Sequence, residues 1–224
     1  DHFLFFTSPV QVFSFSLLLA FIICGLTYFG LPVSIAHIGM GGLIGWSFGV
    51  HVHSPVSQIY PVALAWVVSP VVSLGIAFCL YKVMRWFLKK CSIPLLYKDI
   101  FVRFNLIWIG CVIAYTLGQN NFSVLTAPFV QIFPPFLYMI ILSFVLFILL
   151  GALSSSKKVI KTWSKGMFPL SSFEAMLMGL SAACTMFLFS LKLSFIPAVP
   201  VSSAAALIGG IVGISLAKGG QGLH

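Results

Sequence analysis

The sequence predicts an all-α membrane protein with several spans, and three observations support this fold class. Of the 224 residues, 60% are hydrophobic and only 7% are charged. The mean hydropathy is +1.14, which lies outside the range of soluble domains. No Lys, Arg, Asp or Glu occurs between His2 and Tyr81. Uncharged apolar runs of about 18 residues or more are the signature of transmembrane helices, so a polytopic protein is predicted.

A short stretch occurs twice in the chain. Pro-Val-Ser begins one copy at Pro32 and the other at Pro200, and a Gly-rich apolar run follows each. Eight residues from Pro32 to Ser47 are identical to the residues 168 positions later. A repeat of this kind marks two related halves. We assign 1–97 to a first repeat that is incomplete at its N-terminus, and 98–224 to a second, inverted repeat.

The apolar runs predict seven helices in order. They cover about 10–29, 32–50, 59–87, 104–133, 136–153, 171–189 and 200–216. The fourth run contains Gly118-Gln119-Asn120-Asn121 at its centre. Non-helical backbone at membrane depth is tolerated where protein buries it or where it lines a cavity. We therefore expect two half-helices that meet at this polar break.

Basic residues predict the topology. Eleven of the 12 lie at 82–103, at 157–165 or at Lys218, and the twelfth is Lys192. By the positive-inside rule, the loops at 82–103 and 157–165 are cytoplasmic. The two Pro-Val-Ser helices then run in opposite directions, as in the inverted repeats of secondary transporters. The net charge of +9 sits in these loops rather than on one basic face, which argues against nucleic-acid binding.

The two Pro-Val-Ser helix starts are candidate anion sites. A helix start presents unpaired N–H groups and the positive end of the helix dipole. Ser34, Ser202 and Ser203 would add hydroxyl donors, so an oxyanion can be held without Arg or Lys. For the glycines that follow, close helix packing is the favoured interpretation.

Glu174 is the only acidic residue inside a predicted span. An intramembrane carboxylate indicates a functional site, here a ligand for Na⁺ or a proton carrier. The alternative is an ion pair with Lys161 or Lys165 near the cytoplasmic interface, and both interpretations stay open. Nothing in the sequence supplies a paired acid–base or nucleophile–base set, so an enzyme is not predicted.

These motifs resemble those of the inorganic phosphate transporter family, the PiT type of Na⁺- or H⁺-coupled permease. Pro32–His37 and Pro200–Ala205 resemble its two P-V-S-[ST]-T-H helix starts. Gly118–Asn121 resembles its G-A-N-D-x-x-N break, and Val159–Thr162 followed by Phe173-Glu174 resembles its V-I-K-T segment and a downstream acidic position.

The resemblance implies uptake of phosphate, or of sulfate as in some members, by symport with Na⁺ or H⁺ and without another cofactor. It implies a homodimer in the bilayer of an inner or plasma membrane. The implied anion ligands are Ser34, Ser202, Ser203, Asn120 and Asn121. The implied coupling-ion ligands are Glu174, Asn121 and Gly118.

The chain departs from the family pattern at several points. Asn121 stands where the family has Asp, and the break of the first repeat is absent. Family threonines are also replaced, at Ile35, Ala36 and Ala204. We therefore expect a fragment that lacks part of the first repeat. The alternative is a membrane subunit that keeps the fold without transporting.

Overall fold

The computed structural model describes residues 6, 8–31, 33–49, 56–90, 95–166, 170–191, 199 and 201–219. Within these residues the chain forms seven α-helices, and a single 3-10 turn, Pro134–Phe136, precedes the fifth. The helices are α1 (Pro9–Tyr28), α2 (Ile35–Gly49), α3 (Val56–Lys90), α4 (Leu95–Ile132), α5 (Leu137–Gly166), α6 (Ser172–Ser190) and α7 (Ser203–Ala217). The predicted all-α class is confirmed.

Five helices of the described residues are long and apolar enough to cross a membrane. They are α1, α6 and the segments Tyr60–Lys90, Asp99–Phe122 and Pro134–Ser154 of the other long helices. α2 and α7 have 15 residues each, or about 22 Å at 1.5 Å per residue, which is short of the roughly 30 Å hydrocarbon core. The expected starts at Pro32 and Pro200 lie outside the described residues, and both helices begin after the serine of the motif.

The structure corrects two of the predicted helices. α4 continues through Gly118–Asn121, where we expected an interruption. Its backbone groups are paired within the helix, and the Asn120 side chain has partners on another segment, so the polar stretch does not need to unwind. α5 extends to Gly166, so the lysines expected in a loop at 157–165 lie within a helix. Lysine favours helix, and Lys157 and Lys161 are exposed there. Most of the loop expected at 82–103 is helical too, because α3 continues to Lys90 and α4 begins at Leu95.

The chain divides into two compact units. The first unit comprises Asp1–Val56 and Asn121–Met167, and therefore contains α1, α2, the end of α4, and α5. The second unit comprises Ser57–Asn120 and Phe168–His224, and contains nearly all of α3, most of α4, α6 and α7. These units follow packing rather than sequence repetition, and the division into repeats at 97/98 stays a prediction.

In the first unit an aromatic cluster joins α1 to α2. Phe6 and Phe15 are buried, and their ring centroids are 5.1 Å apart. Trp46 of α2 lies 6.0 Å from Phe15, edge to face. Ser8 caps α1 by accepting a hydrogen bond from the Gln11 N–H at 3.4 Å. The opposite face of α1 is exposed and apolar, as a lipid-facing surface requires.

The core of the second unit is formed by four helices. Its buried members are Ala77, Tyr81, Val102, Ile109, Met176, Leu177, Ile214 and Ala217. α6 and α7 are antiparallel, because Lys218 at the end of α7 pairs with Glu174 at the start of α6. At the other end, the Val199 N–H donates to the Phe189 carbonyl at 3.2 Å. The start of α7 is therefore held beside the end of α6.

Candidate functional site

The start of α7 is capped and buried. Ser202, which is 1% exposed, accepts a hydrogen bond on its Oγ from the Ala205 N–H at 3.2 Å. Its carbonyl accepts the first helical bond, from the Ala206 N–H at 3.0 Å. Serine is a favoured N-cap because its oxygen satisfies one of the N–H groups that a helix start leaves unpaired. The motif thus begins the helix at Ser203.

Two N–H groups of this first turn remain available. Within the described part of the chain, the N–H groups of Ser203 and Ala204 have no hydrogen-bond partner. The hydroxyl of the half-buried Ser203 lies on the same turn. Adjacent N–H groups at the positive end of a helix dipole form a site for an anion.

Asn120 of α4 binds the backbone immediately before this cap. Its Nδ2 donates to the Val201 carbonyl at 2.6 Å, and its Oδ1 accepts from the Val201 N–H at 2.8 Å. Asn120 is 4% exposed and Val201 is fully buried. The side chain expected to bind the anion is therefore directed at the polypeptide, and it holds the segment that leads into α7.

Glycines bring α7 against the backbone of α3. A Cβ placed at Gly209 would collide with the Pro70 carbonyl, and one at Gly213 would collide with the Leu74 carbonyl. A Cβ at Gly210 would lie 2.7 Å from the Ser181 hydroxyl of α6. Such contacts are those of small-residue helix interfaces. The packing interpretation of these glycines is confirmed for α7.

A buried serine of α3 also contacts α7. The Ser73 hydroxyl donates to the Ala206 carbonyl at 2.6 Å and lies 3.4 Å from the Ser181 hydroxyl. One helical turn earlier, Ser69 is fully buried, and its hydroxyl is the buried side-chain polar atom without a partner among the described residues. Neither serine was predicted from the sequence. Their spacing of four residues within an apolar run is the signal that could have identified them.

Glu174 lies at the other end of α7. It is the N3 residue of a capping box: Ser171 donates its N–H to Glu174 Oε2 at 2.9 Å, and the Ser171 Oγ accepts from the Glu174 N–H at 3.3 Å. Glu174 Oε1 also pairs with Lys218 Nζ at 2.8 Å. This hydrogen bond raises the pKa of Lys218, against a smaller opposing effect of desolvation. The length of α7, about 22 Å, separates this pair from Ser203.

Three further residues were predicted for the site. Ser34 caps α2 in the first unit, where its Oγ accepts from the His37 N–H at 3.4 Å. Asn121 is half-buried and also belongs to the first unit. Gly118 is exposed, with open space where a Cβ would lie. Within the second unit, the structure brings Asn120 next to the Ser202–Ser203 start and leaves Glu174 remote from it, and the coupling-ion role of Glu174 stays a prediction.

Comparisons with known proteins agree with this architecture. A model of the phosphate transporter family matches residues 4–224. A curated relative from Methanocaldococcus jannaschii, provisionally named a phosphate permease, is 29% identical over 220 residues, which are 95% of this chain and 67% of the relative. No solved structure matches the chain. Since the family model covers nearly all of the sequence, this integral membrane protein belongs to the phosphate transporter family.

Proposed function

We propose that the protein carries inorganic phosphate across a membrane by secondary-active transport, and that the anion binds at the start of α7. The observation that carries this proposal is the pair of available N–H groups on Ser203 and Ala204, beside the capped and buried Ser202. Membership of a phosphate transporter family supplies the identity of the anion. The hydroxyl of Ser203 adds a third donor without adding charge.

A site of this kind suits transport because it releases what it binds. Charge-assisted bonds from Arg to phosphate are bidentate and roughly twice as strong as neutral ones. A helix start offers its neutral donors with only a partial positive charge of about half an elementary unit. Lys218, the cation nearest to α7 in the described chain, is at the far end of the helix and is paired with Glu174.

The proposal extends to the first repeat and to the driving ion. The start of α2, with Ser34 as its cap, has the equivalent backbone N–H groups and is assigned the same role there, although Ile35 stands where α7 has Ser203 and adds no hydroxyl. Asn121 is proposed as a further ligand, both of the anion and of the coupling ion. The coupling ion is Na⁺ or H⁺. A homodimer in the inner or plasma membrane completes the proposal, by resemblance to the family.

Uptake by the full-length protein in proteoliposomes tests the function. We expect labelled phosphate to accumulate when a Na⁺ or an H⁺ gradient is imposed, with the two gradients applied separately to identify the driving ion. Excess unlabelled phosphate should abolish the signal. Inhibition by sulfate at equal or lower concentration would instead favour a sulfate permease.

The rival function is that of a membrane subunit that keeps the fold without transporting. The observation that favours it is Asn121, which removes the carboxylate expected at a cation site. The matched variant is Asn121→Asp. A wild type that takes up neither anion defeats the proposed function. Uptake by Asn121→Asp would then show that the loss of the carboxylate disabled a transporter, whereas uptake by neither protein would leave the non-transporting subunit as the function.

A further inference from the structure

We infer that Asn120 is a positioning residue, which holds the backbone before α7 so that the N–H groups of Ser203 and Ala204 stay available for the anion. The inference rests on the proposed function and changes the role of Asn120 from ligand to support. It also explains why α4 has polar residues at Gly118–Asn121 without a break in the helix, since Asn120 binds the segment before α7.

The side-chain amide of Asn120 binds Val201 as the backbone of a neighbouring β-strand would, with one donated and one accepted hydrogen bond. The Asn120 amide donates to the carbonyl and accepts from the N–H of the same residue, at 2.6 Å and 2.8 Å. Val201 is fully buried, so neither of its backbone groups can turn to water. Leaving buried backbone groups unpaired is strongly unfavourable, and therefore the amide supports the conformation of this segment.

Asparagine is suited to this contact by the length of its side chain and because its amide carries both a hydrogen-bond donor and an acceptor. An aspartate at the same place could accept from the N–H, but its carboxylate would face the Val201 carbonyl oxygen without a proton to share. A glutamine would carry the amide one methylene further from the helix. An alanine would leave both groups of Val201 unpaired.

The contact between Asn120 and Val201 lies next to the N-cap residue of α7, and other contacts hold the helix further along. Ser202 directly follows Val201 and has extended backbone angles, φ −78° and ψ 113°, which an N-cap requires. Ser73 holds the Ala206 carbonyl one turn later. Asn120 therefore fixes the approach to the helix, while α3 fixes its body. Donors held in place before the anion arrives bind it more tightly than donors that must first be ordered.

Amide hydrogen exchange in the phosphate-free protein separates support from ligation. In the full-length protein in lipid nanodiscs, Asn120→Ala should speed exchange at Val201 and in the first turn of α7 by about tenfold, the factor that corresponds to about 1.4 kcal/mol. Asn120→Asp, which keeps the size of the side chain, should do at least as much. A residue that acts only as a ligand would leave exchange unchanged without phosphate.

Uptake kinetics complete the test. Both variants should raise the phosphate KM by about tenfold with a smaller change in kcat, since the loss is one of a preorganised binding site. The control is Gln119→Ala, the exposed neighbour on α4, which should alter neither exchange nor KM.

Three outcomes decide the inference. Unchanged exchange in both phosphate-free variants overturns it, and so does faster exchange with an unchanged KM. Faster exchange with a raised KM supports it. A wild type without phosphate uptake would defeat the proposed function alone, and the exchange rates would still decide whether Asn120 holds the start of α7.

Discussion

The two repeated helices, α2 and α7, begin alike and are buried differently. The bounds of α7, Ser203–Ala217, are those of α2, Ile35–Gly49, shifted by 168 residues. In both, the serine before the helix accepts a hydrogen bond from the N–H three residues later. Ser34, however, is half-buried, whereas Ser202 is 1% exposed. Local sequence thus determines where each helix starts, and the neighbouring helices determine how deeply that start is buried.

One pair of equivalent glycines has the same task in both units. A Cβ at Gly42 would lie 3.0 Å from the Leu19 side chain of α1, and Gly210 has the matching relation to Ser181 of α6. Each repeated helix therefore packs through this glycine against the spanning helix that precedes it.

The other equivalent glycines differ. Gly209 and Gly213 lie against backbone carbonyls of α3, whereas a Cβ at Gly41 or Gly45 would meet no atom within 4 Å in the described chain. At equivalent positions, α7 thus requires glycine because a Cβ would collide with α3, whereas the described contacts of α2 do not require it. A repeat in sequence does not ensure a repeat in packing.

Substitution of these glycines should produce the largest difference between the two helices. Gly209→Ala places a methyl group into the Pro70 carbonyl, so we expect a loss of about 2 to 3 kcal/mol from overpacking. Gly41→Ala should be neutral or should stabilise by roughly 0.5–1 kcal/mol, because alanine favours helix over glycine. Thermal unfolding in a mild detergent, with size-exclusion profiles as the check on folding, measures both.

Equal losses from the two variants would contradict this asymmetry. That result would mean that the Gly41 face is also covered. Gly45→Ala and Gly213→Ala form a second matched pair one turn later, and should repeat the contrast.

The two serine caps should show a smaller difference. Ser202→Ala removes the acceptor for the Ala205 N–H at a buried position, and we expect a loss of about 1.5 kcal/mol. Ser34→Ala at the more exposed start should cost about 0.5 kcal/mol, the lower end of the range for N-caps. Unfolding in detergent gives both values. Phosphate uptake should fall in both variants if each start binds the anion, and an undiminished rate in Ser34→Ala would confine the site to the second repeat.

Sequence patterns predicted the helices well and the contacts of the site less well. Apolar runs and the Pro-Val-Ser starts located the seven helices of the described residues, apart from the break expected in α4 and the end of α5, since composition and capping are local. Asn120 was predicted as an anion ligand, which stays a prediction; its partner Val201 is 81 residues away and is contacted through its backbone, which carries no sequence signal. Ser73 and Lys218 were missed as partners for the same reason. Long-range pairs depend on how the helices pack.

The starts of α1 and α6 provide the smallest and most direct comparison. Both have Ser at the cap and a polar residue three positions later, which is Gln11 in α1 and Glu174 in α6. Glu174→Gln therefore gives the cap of α6 the residue types of the cap of α1. The amide oxygen can still accept from the Ser171 N–H, and only the ion pair with Lys218 is lost. We expect a loss of about 0.5 kcal/mol, since Lys218 is partly exposed. Unfolding in detergent at neutral pH measures it.

The pH dependence of this pair has a defined sign. Because the hydrogen bond raises the pKa of Lys218 above its ordinary value of 10.5, its contribution is present below that value and is lost as the pH rises through the raised pKa. Wild type and Glu174→Gln should therefore differ in stability at pH 7 and converge under strongly alkaline conditions. The matched variant Lys218→Met should lose a similar amount of stability at pH 7.

Transport coupling decides whether Glu174 is only a helix cap or also serves the driving ion. Unchanged coupling in Glu174→Gln would make Glu174 a helix cap. Uncoupled uptake in a stable protein would instead make it a ligand or carrier of the driving ion.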